Sequence, residues 1–600
     1  MEEKRMAIIG SGATAIYLLK HIKDNVKILL SKIQSITIFE RGGYMGMGMP
    51  YSPETTDIYN LANISSEEIP ELPMTFGNWL RQQDNSILTK LNVTEFPIDD
   101  SEVYSRLALG SYLREQYLSL IHDLEVAGIS IKEIQGAEVK DIELDIKKQR
   151  VTIRTDKTDY PNFSKVVIAT GHTWNEEDRP ENGYYASPWP IQKLLPAAGE
   201  IYNYPIGTLG ASLSAFDVVT SLAHRHGKFT KSGKVLSFCP NEGAESFKMI
   251  LHSSEGWLPH LQYEQVEPMR EIYRHTDREE MLSLINESGF LKIDTFFDEV
   301  CRCALMEALK KDGLEEKAKK LESADFRFKD FVEMMVDAHE YSNSFEGMKK
   351  EMVTALDSVT NNKPIHWMET LDDLMYCLNF HAELLPAEDH LFFKNEVSSF
   401  LMNVIAALPL SSANILLALH DAGCIEMISG KVKVLENIEN TDKSHIEVEA
   451  EDGTKKTIDY KMFINCAGQK SLQLEDFPFS SLVHAGHLRK ARAEIENLDM
   501  LPKSVDSKSI FRDRDSHYLY TGGIDIDAAY RIIGNDGLPS DRIMDITFTH
   551  TLGTRPYSYG LQACSATSKI LVESWIASQK DPSFDADIEN MTKLFDENEL

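Results

Sequence analysis

Gly10, Gly12 and Ala15 stand in the stretch MAIIGSGATAIYLL, residues 6–19, behind a short apolar run and ahead of helical spacing through Ala15, Leu18, Leu19 and Ile22. A buried strand that ends in a glycine turn and feeds a helix is a phosphate cradle. Gly10 permits the tight turn, Gly12 lets the backbone approach a pyrophosphate, and Ala15 keeps helix and strand close. A second apolar run, 36–39, ends at Glu40, whose carboxylate would accept from ribose hydroxyls and repel a 2′-phosphate. That pattern disfavours NADP at this turn and leaves NAD or FAD. The glycine-rich GGYMGMG at 42–48 gives open backbone for a long cofactor, which favours FAD.

A second turn, LGASLSAFD at 209–217, repeats the motif with a change. Gly210 is in place, but Ser212 stands where the second glycine belongs. Ser212 and Ser214 can still donate to phosphate, although close backbone approach is harder. Two further apolar strands end in small residues, VVIATG with Gly171 and FINCAG with Gly468. Either would be unremarkable alone, as a buried strand with a turn glycine. Together with the first unit they suggest crossings between two nucleotide folds. No residue announces itself as a catalytic base. His172 in ATGHTW is the candidate for cofactor or substrate contact, against the alternative of a hydrogen-bonded turn histidine. His224 with His226, His484 with His487, and Cys301 with Cys303 lack convergent further ligands, so no metal is expected.

These residues need elements to hold them. The chain has 600 residues, enough for two to four domains. Its formal net charge of −32 argues against nucleic acid or an anionic membrane as the main partner. Seven cysteines without a C-x-x-C do not form a disulfide framework, and no apolar run approaches the roughly 20 residues that span a bilayer. A reducing, cytoplasmic setting is expected. The pattern predicts an α/β protein with two Rossmann-like dinucleotide-binding domains and a large helical insertion. The predicted divisions are 1–180 and 471–600 for a discontinuous FAD domain, 200–260 and 411–470 for an NAD(P)-like domain, and 261–410 for the insertion. A helix is predicted over 101–127 and a strand hairpin within 129–156. Strands are predicted at 424–436, 444–450 and 457–466, a loop-rich stretch at 500–558, and an amphipathic helix at 559–579.

The motifs Gly10–Ala15, Gly46–Tyr51, Arg106 with Tyr112–Leu113, Ala169–His172, Ser212–Asp217, Asp421–Gly430 and Asn465–Gly468 span residues 5–580. Through them the chain resembles the FAD/NAD(P)-binding family of two-dinucleotide-domain flavoproteins. It is more distantly similar to flavin-dependent N-hydroxylating and Baeyer–Villiger-type monooxygenases, without their usual F-x-G-x-x-x-H fingerprint. The resemblance implies a bound FAD near Gly10, Gly12, Ala13, Thr14, Ala15, Glu40, Arg41, Gly46, Gly48, Asn60, Asn63 and Arg106. It places Gly523 and Asp525 beside the ribityl chain, and the helix entered through TRPYSYG with its N-terminus toward the flavin. Asn63, Arg106 and His172 are the candidate catalytic residues. Glu255, in HSSEGWLP, stands where related sequences carry arginine for the 2′-phosphate of NADPH, which leaves NADH, NADPH or a vestigial site open. The implied function is an NAD(P)H-using monooxygenase that acts through a flavin hydroperoxide on a small nucleophile, an amine or amino acid first, with molecular oxygen as co-substrate. The alternatives are an FAD oxidase or dehydrogenase that needs no nicotinamide, and a flavin-binding interaction protein without catalysis.

Overall fold

A computed structural model describes residues 4–600 apart from 175, 234, 338–342, 406, 436–441, 470 and 599. Strand β1 (Arg5–Ile9) enters helix α1 (Ala13–Asp24) through the glycine turn, and β2 (Ser35–Glu40) follows. Helix α2 (Arg106–Val126) leads into β3 (Ser130–Gln135), and β4 (Lys165–Ile168) comes after a small antiparallel meander. The second unit holds β5 (Pro205–Leu209), α3 (Leu213–His226) and β6 (Lys248–Ser253). After a long helical region that includes α4 (His366–Phe380), β7 (Ile425–Ser429) and β8 (Phe463–Asn465) return to it. The chain closes with β9 (Ser516–Ile524), β10 (Pro539–Asp545) and α5 (Gly560–Lys580), before a short last helix, Ile588–Glu597.

The first sheet runs Arg531–Ile533, β10, β4, β1, β2, β3, parallel throughout except for the short edge strand. β1 reads as an unbroken apolar run because helices cover both faces of a parallel sheet. β2 lies on one side of β1 and β4 on the other, so the strand order reverses there. That reversal opens a crevice at the carboxyl ends of the strands. The second sheet, β7, β6, β5, β8 and Tyr184–Tyr185, is also parallel and reverses at β5. The structure is thus an α/β fold with two parallel, Rossmann-like sheets and a helical region.

The helical region leaves the chain between β6 and β7 of the second unit, yet much of it packs on the first. Leu371, Leu374 and Phe380 of α4 belong to the same buried apolar cluster as Ile570 and Leu571 of α5 and Ile8 of β1. The helix Ser344–Thr360 instead gives Phe345 and Met348 to the core of the second unit.

Several elements differ from the sequence expectation. The stretch 500–558 is not loop-rich: it holds Ile510–Asp513, β9, Arg531–Ile533 and β10, the last a member of the first parallel sheet. Its strands are short or glycine-containing, which hides their period. Within 129–156, β3 joins the parallel sheet, and the hairpin is formed by Val139–Asp145 and Arg150–Thr155. The run 424–436 divides into β7 and Lys431–Leu435, which lie in different sheets, while residue 436 lies outside the described residues. The run 457–466 divides likewise, into Lys455–Tyr460 and β8. A hairpin of Gly227–Ser232 and Val235–Pro240 has no counterpart in the sequence reading.

Candidate functional site

A cleft lies at the crevice between β1 and β4. Gly10, Ser11, Gly12, Ala13 and Thr14 form one wall, Glu40 and Arg41 the end of β2, and Gly171 with His172 the turn after β4. Gly10 has φ +103°, and a Cβ there would sit 2.2 Å from the Ala169 carbonyl oxygen. Gly12 faces Gly48, whose Cα would lie 3.3 Å from a Cβ on Gly12. Two glycines back to back leave the cradle backbone bare, as close approach of a phosphate requires. No side chain caps the first turn of α1, so its partial positive charge faces the cleft.

A second helix reaches the same cleft. Ser558, Tyr559, Gly560 and Leu561 line it from the start of α5, which also has no side-chain cap. The two helices are fastened at this end: the Thr14 hydroxyl donates to Cys564 Sγ at 3.2 Å, and the Ser568 hydroxyl donates to the Thr14 carbonyl at 3.0 Å. Two helix N-termini converging on one crevice fit a pyrophosphate and a second electron-rich group. The residues present therefore fit a dinucleotide such as FAD.

Glu40 serves the turn as well as the cleft. Its Oε2 accepts from the Ser11 hydroxyl at 2.7 Å and the Ser11 N–H at 3.2 Å, and its Oε1 accepts from the Gly42 N–H at 2.8 Å. Three of about four acceptor positions are occupied, which leaves room for one ribose hydroxyl rather than two. Burial lowers the His172 pKa, so the ring is neutral at pH 7, and it stacks on Trp174 with centroids 5.8 Å apart. Burial pushes Tyr51, on the opposite wall, up to about 12 and raises the Cys564 thiol. Among the described residues the lining thus offers donors, the Arg41 cation, one carboxylate and a neutral imidazole, but no activated nucleophile.

Other residues singled out in the sequence lie elsewhere. Ala15 is buried behind the turn. The Gly46 N–H donates to the Ser11 hydroxyl at 3.1 Å, behind the cleft wall. Asn60 is buried, and its amide donates to the Asp217 carbonyl at 3.1 Å and the Ser221 hydroxyl at 3.0 Å while accepting from the Asp57 N–H at 2.9 Å. Asn63, with φ +56°, lines a separate acidic cavity with Glu67, Glu68 and Asp372. Arg106 pairs with Asp217 at 2.7 Å and donates from Nε to the Leu61 carbonyl at 2.9 Å. Gly523 packs on the His550 carbonyl, and Asp525 pairs with Arg489 at 2.7 Å. Asn60, Asn63, Arg106, Gly523 and Asp525 are therefore not in the cleft lining; their polar groups fasten loops and units, or line another cavity.

In their place the C-terminal segment supplies Thr547, Phe548 and Thr549. Sequence reasoning missed these because they follow a strand, β10, inside the stretch taken for loop. An apolar-ended strand entering TFTH was the available signal. Buried contacts from the helical region hold the neighbouring TRPYSYG run. The Tyr557 hydroxyl donates to Asp372 at 2.7 Å, its N–H donates to Asn379 Oδ1 at 2.7 Å, and the Asn379 amide donates to the Ser558 hydroxyl at 3.0 Å. Arg555, fully buried, pairs with Glu383.

The second turn stands at the carboxyl edge of the other sheet. The Gly210 N–H donates to the His252 carbonyl at 2.8 Å, and Ser212 precedes α3 without capping it through its side chain. Ser214 lies in the first turn of α3, and Gly468 follows β8. The two units meet where the Thr173 N–H donates to Gln469 Oε1 at 3.2 Å. His224 stacks on Tyr59 at 3.7 Å, and the His226 ring bonds to Leu222 and Tyr202 backbone, so both act in packing. Among the described residues no group of three His, Cys, Asp or Glu side chains is placed to hold a metal, and no helix is long and apolar enough to cross a membrane.

Comparison with known proteins adds the following. A protein of Escherichia coli (strain K12) called uncharacterized protein YdhS is 28% identical over 484 residues, 80% of this chain and 86% of that protein. Among solved structures, L-lysine 6-monooxygenase from Pseudomonas syringae is 11% identical, covering 97% of this chain and 100% of that one with a TM-score of 0.46. The FAD-bound cadaverine monooxygenase DfoA from Erwinia amylovora is 10% identical, covering 97% and 95% with a TM-score of 0.46. Residues 277–405 match the family described as YdhS-like middle domain, most of the helical region. Residues 7–173, which carry the Gly10–Gly12 turn, Glu40 and Gly171, match the family described as FAD-NAD(P)-binding.

Proposed function

We propose that the protein is an FAD-dependent monooxygenase that draws on reduced nicotinamide and acts on a small nucleophilic substrate. The observation that carries this reading is the convergence of α1, α5 and the Gly10–Gly12 turn on one cleft. Gly10, Gly12, Ala13 and Thr14 would hold the pyrophosphate, Glu40 a ribose hydroxyl, and Thr549, Gly560 and Leu561 the far end. FAD bound there supplies hydride acceptance and dioxygen activation. The chain's own residues bind, orient and exclude water, which suits a lining without an acid–base pair. The second parallel unit, at 200–260 and 411–470, would take the nicotinamide, with Glu255 favouring NADH. The helical region would close over the substrate, for which the sequence resemblance suggests an amine or amino acid.

The test is the visible spectrum of the purified protein with added FAD, read before and after NADH or NADPH without air and again in air. A flavin spectrum that NADH bleaches and oxygen restores supports the reading. A protein that takes up no FAD overturns it. A flavin bleached by an amine or alcohol but by neither nicotinamide would make the protein an oxidase or dehydrogenase. Ser212 in place of the second glycine is the feature that favours this second reading.

A further inference from the structure

A second cavity adjoins the cleft. Tyr559 lines both spaces, and its ring packs on Phe548 of the cleft wall with centroids 4.3 Å apart. The cavity lies between the helical region, the β9 sheet and the 552–559 segment. Leu391, Phe393, Leu519, Leu552 and Pro556 give it an apolar body. Its polar groups have one electrostatic sign. Lys394 is exposed and has no ion pair among the described residues, and no carboxylate lines the space. Burial lowers His390 to about 4, so this ring is neutral and Lys394 is the fixed charge of the lining.

Two further observations mark this wall as built for a ligand. The Thr521 hydroxyl oxygen is buried and has no hydrogen-bond partner among the described residues. A buried hydroxyl without a partner is unfavourable unless something bonds to it. Phe393 and Lys394 also sit in a π-helical turn, Phe393–Val397, a helix irregularity that recurs at functional sites because it re-aims side chains.

We infer that this cavity binds the organic substrate, and that the substrate class is a small molecule with an apolar body and a carboxylate, the carboxylate on Lys394 and a polar atom on Thr521. The inference rests on the flavoprotein reading for what happens to the substrate, but not for its binding. It narrows the class beyond a nucleophilic amine: a neutral or purely cationic amine has no counter-charge here, whereas an amino acid or an aryl or alkyl carboxylate does. By contrast, the Glu67–Glu68–Asp372 cavity carries the opposite sign and does not share Tyr559.

Titration calorimetry of the full chain tests this with three probes of one shape: 3-phenylpropionate, its neutral amide and 3-phenylpropylamine. The carboxylate should bind at least about tenfold more tightly than the other two. Lys394→Met should remove that preference and Lys394→Arg should keep it. Lys394 is exposed, so neither change threatens folding. Leu519→Trp should block all three probes. With FAD present, 3-phenylpropionate should perturb the flavin spectrum through Tyr559. Equal binding of carboxylate and amide, or an unchanged preference in Lys394→Met, overturns the inference. If the protein takes up FAD and the carboxylate does not bind, the cavity assignment fails while the cofactor reading stands. If no FAD is taken up, the same titration on the colourless protein still decides the cavity.

Discussion

Arg106 and Asp217 form a buried ion pair, 2.7 Å apart, that joins the N-terminal unit to the first helix of the second unit. Asp57 with Arg225, at 2.6 Å, and Asn60 on Ser221 extend the same seam. Burial raises Asp217 to about 6, while Arg106 opposes the shift. Removing one partner of such a pair strands a charge in a dry interface. Arg106→Ala should therefore destabilise the protein by about 3 kcal/mol. FAD bound per folded molecule should stay unchanged. Urea unfolding followed by flavin absorbance checks both, and a selective loss of FAD would return Arg106 to the cofactor.

Gly12→Val places a branched side chain in the bare cradle beside Gly48. FAD affinity should fall by at least about 100-fold, or ~3 kcal/mol. Stability of the cofactor-free protein should fall by less than FAD affinity, because the position borders the open cleft and its Cβ meets only Gly48, at 3.3 Å. Equilibrium dialysis and thermal melts separate the two quantities.

Glu255 is exposed just after β6, on the edge where the second turn lies. Glu255→Arg should shift the NADPH/NADH ratio of kcat/KM toward NADPH by about tenfold. The measurement is flavin reduction at several concentrations of each nicotinamide. An unchanged ratio would remove this edge from nicotinamide recognition.

Acid should weaken the fold through buried histidines as well as through carboxylates. His252 and His381 are fully buried, and burial lowers each to about 4. The unfolded chain binds these protons near pH 6.5, the folded chain only near 4, so the stabilisation is complete above pH 6.5 and is lost as pH falls toward 4. Each histidine should cost about 2 kcal/mol between pH 7 and pH 5. His252→Gln, which keeps a polar atom near the Tyr460 hydroxyl, should flatten that dependence by its share. Urea midpoints at the two pH values decide it.

The parallel strands were legible because burial on both faces writes them as apolar runs, as in IIG after Ala7 and VVIATG after Lys165. The glycine turn was legible because backbone geometry demands particular residue types. β10 was not, since PSDRIMD mixes a half-buried polar half with a buried half and follows a three-residue strand. Arg106, Asn60 and Asp525 were misplaced for a different reason. A polar residue's type tells that it needs a partner, but only the tertiary arrangement tells whether it lines a cleft, as Thr14 does, or meets a carboxylate from another unit, as Arg106 meets Asp217. The matching polar groups are 111 positions apart in the chain for Arg106 and Asp217, a distance that no local pattern spans.

Asp372 and Asn379 of α4 hold Tyr557 and Ser558, and these precede the uncapped end of α5. The consequence concerns dissection of the gene. A shortened protein that joins β6 directly to β7 would keep every glycine of both turns and still lose the wall of its cleft, because the scaffold for that wall is encoded in the excised piece. Grafting the first unit alone onto another flavoprotein would fail in the same way.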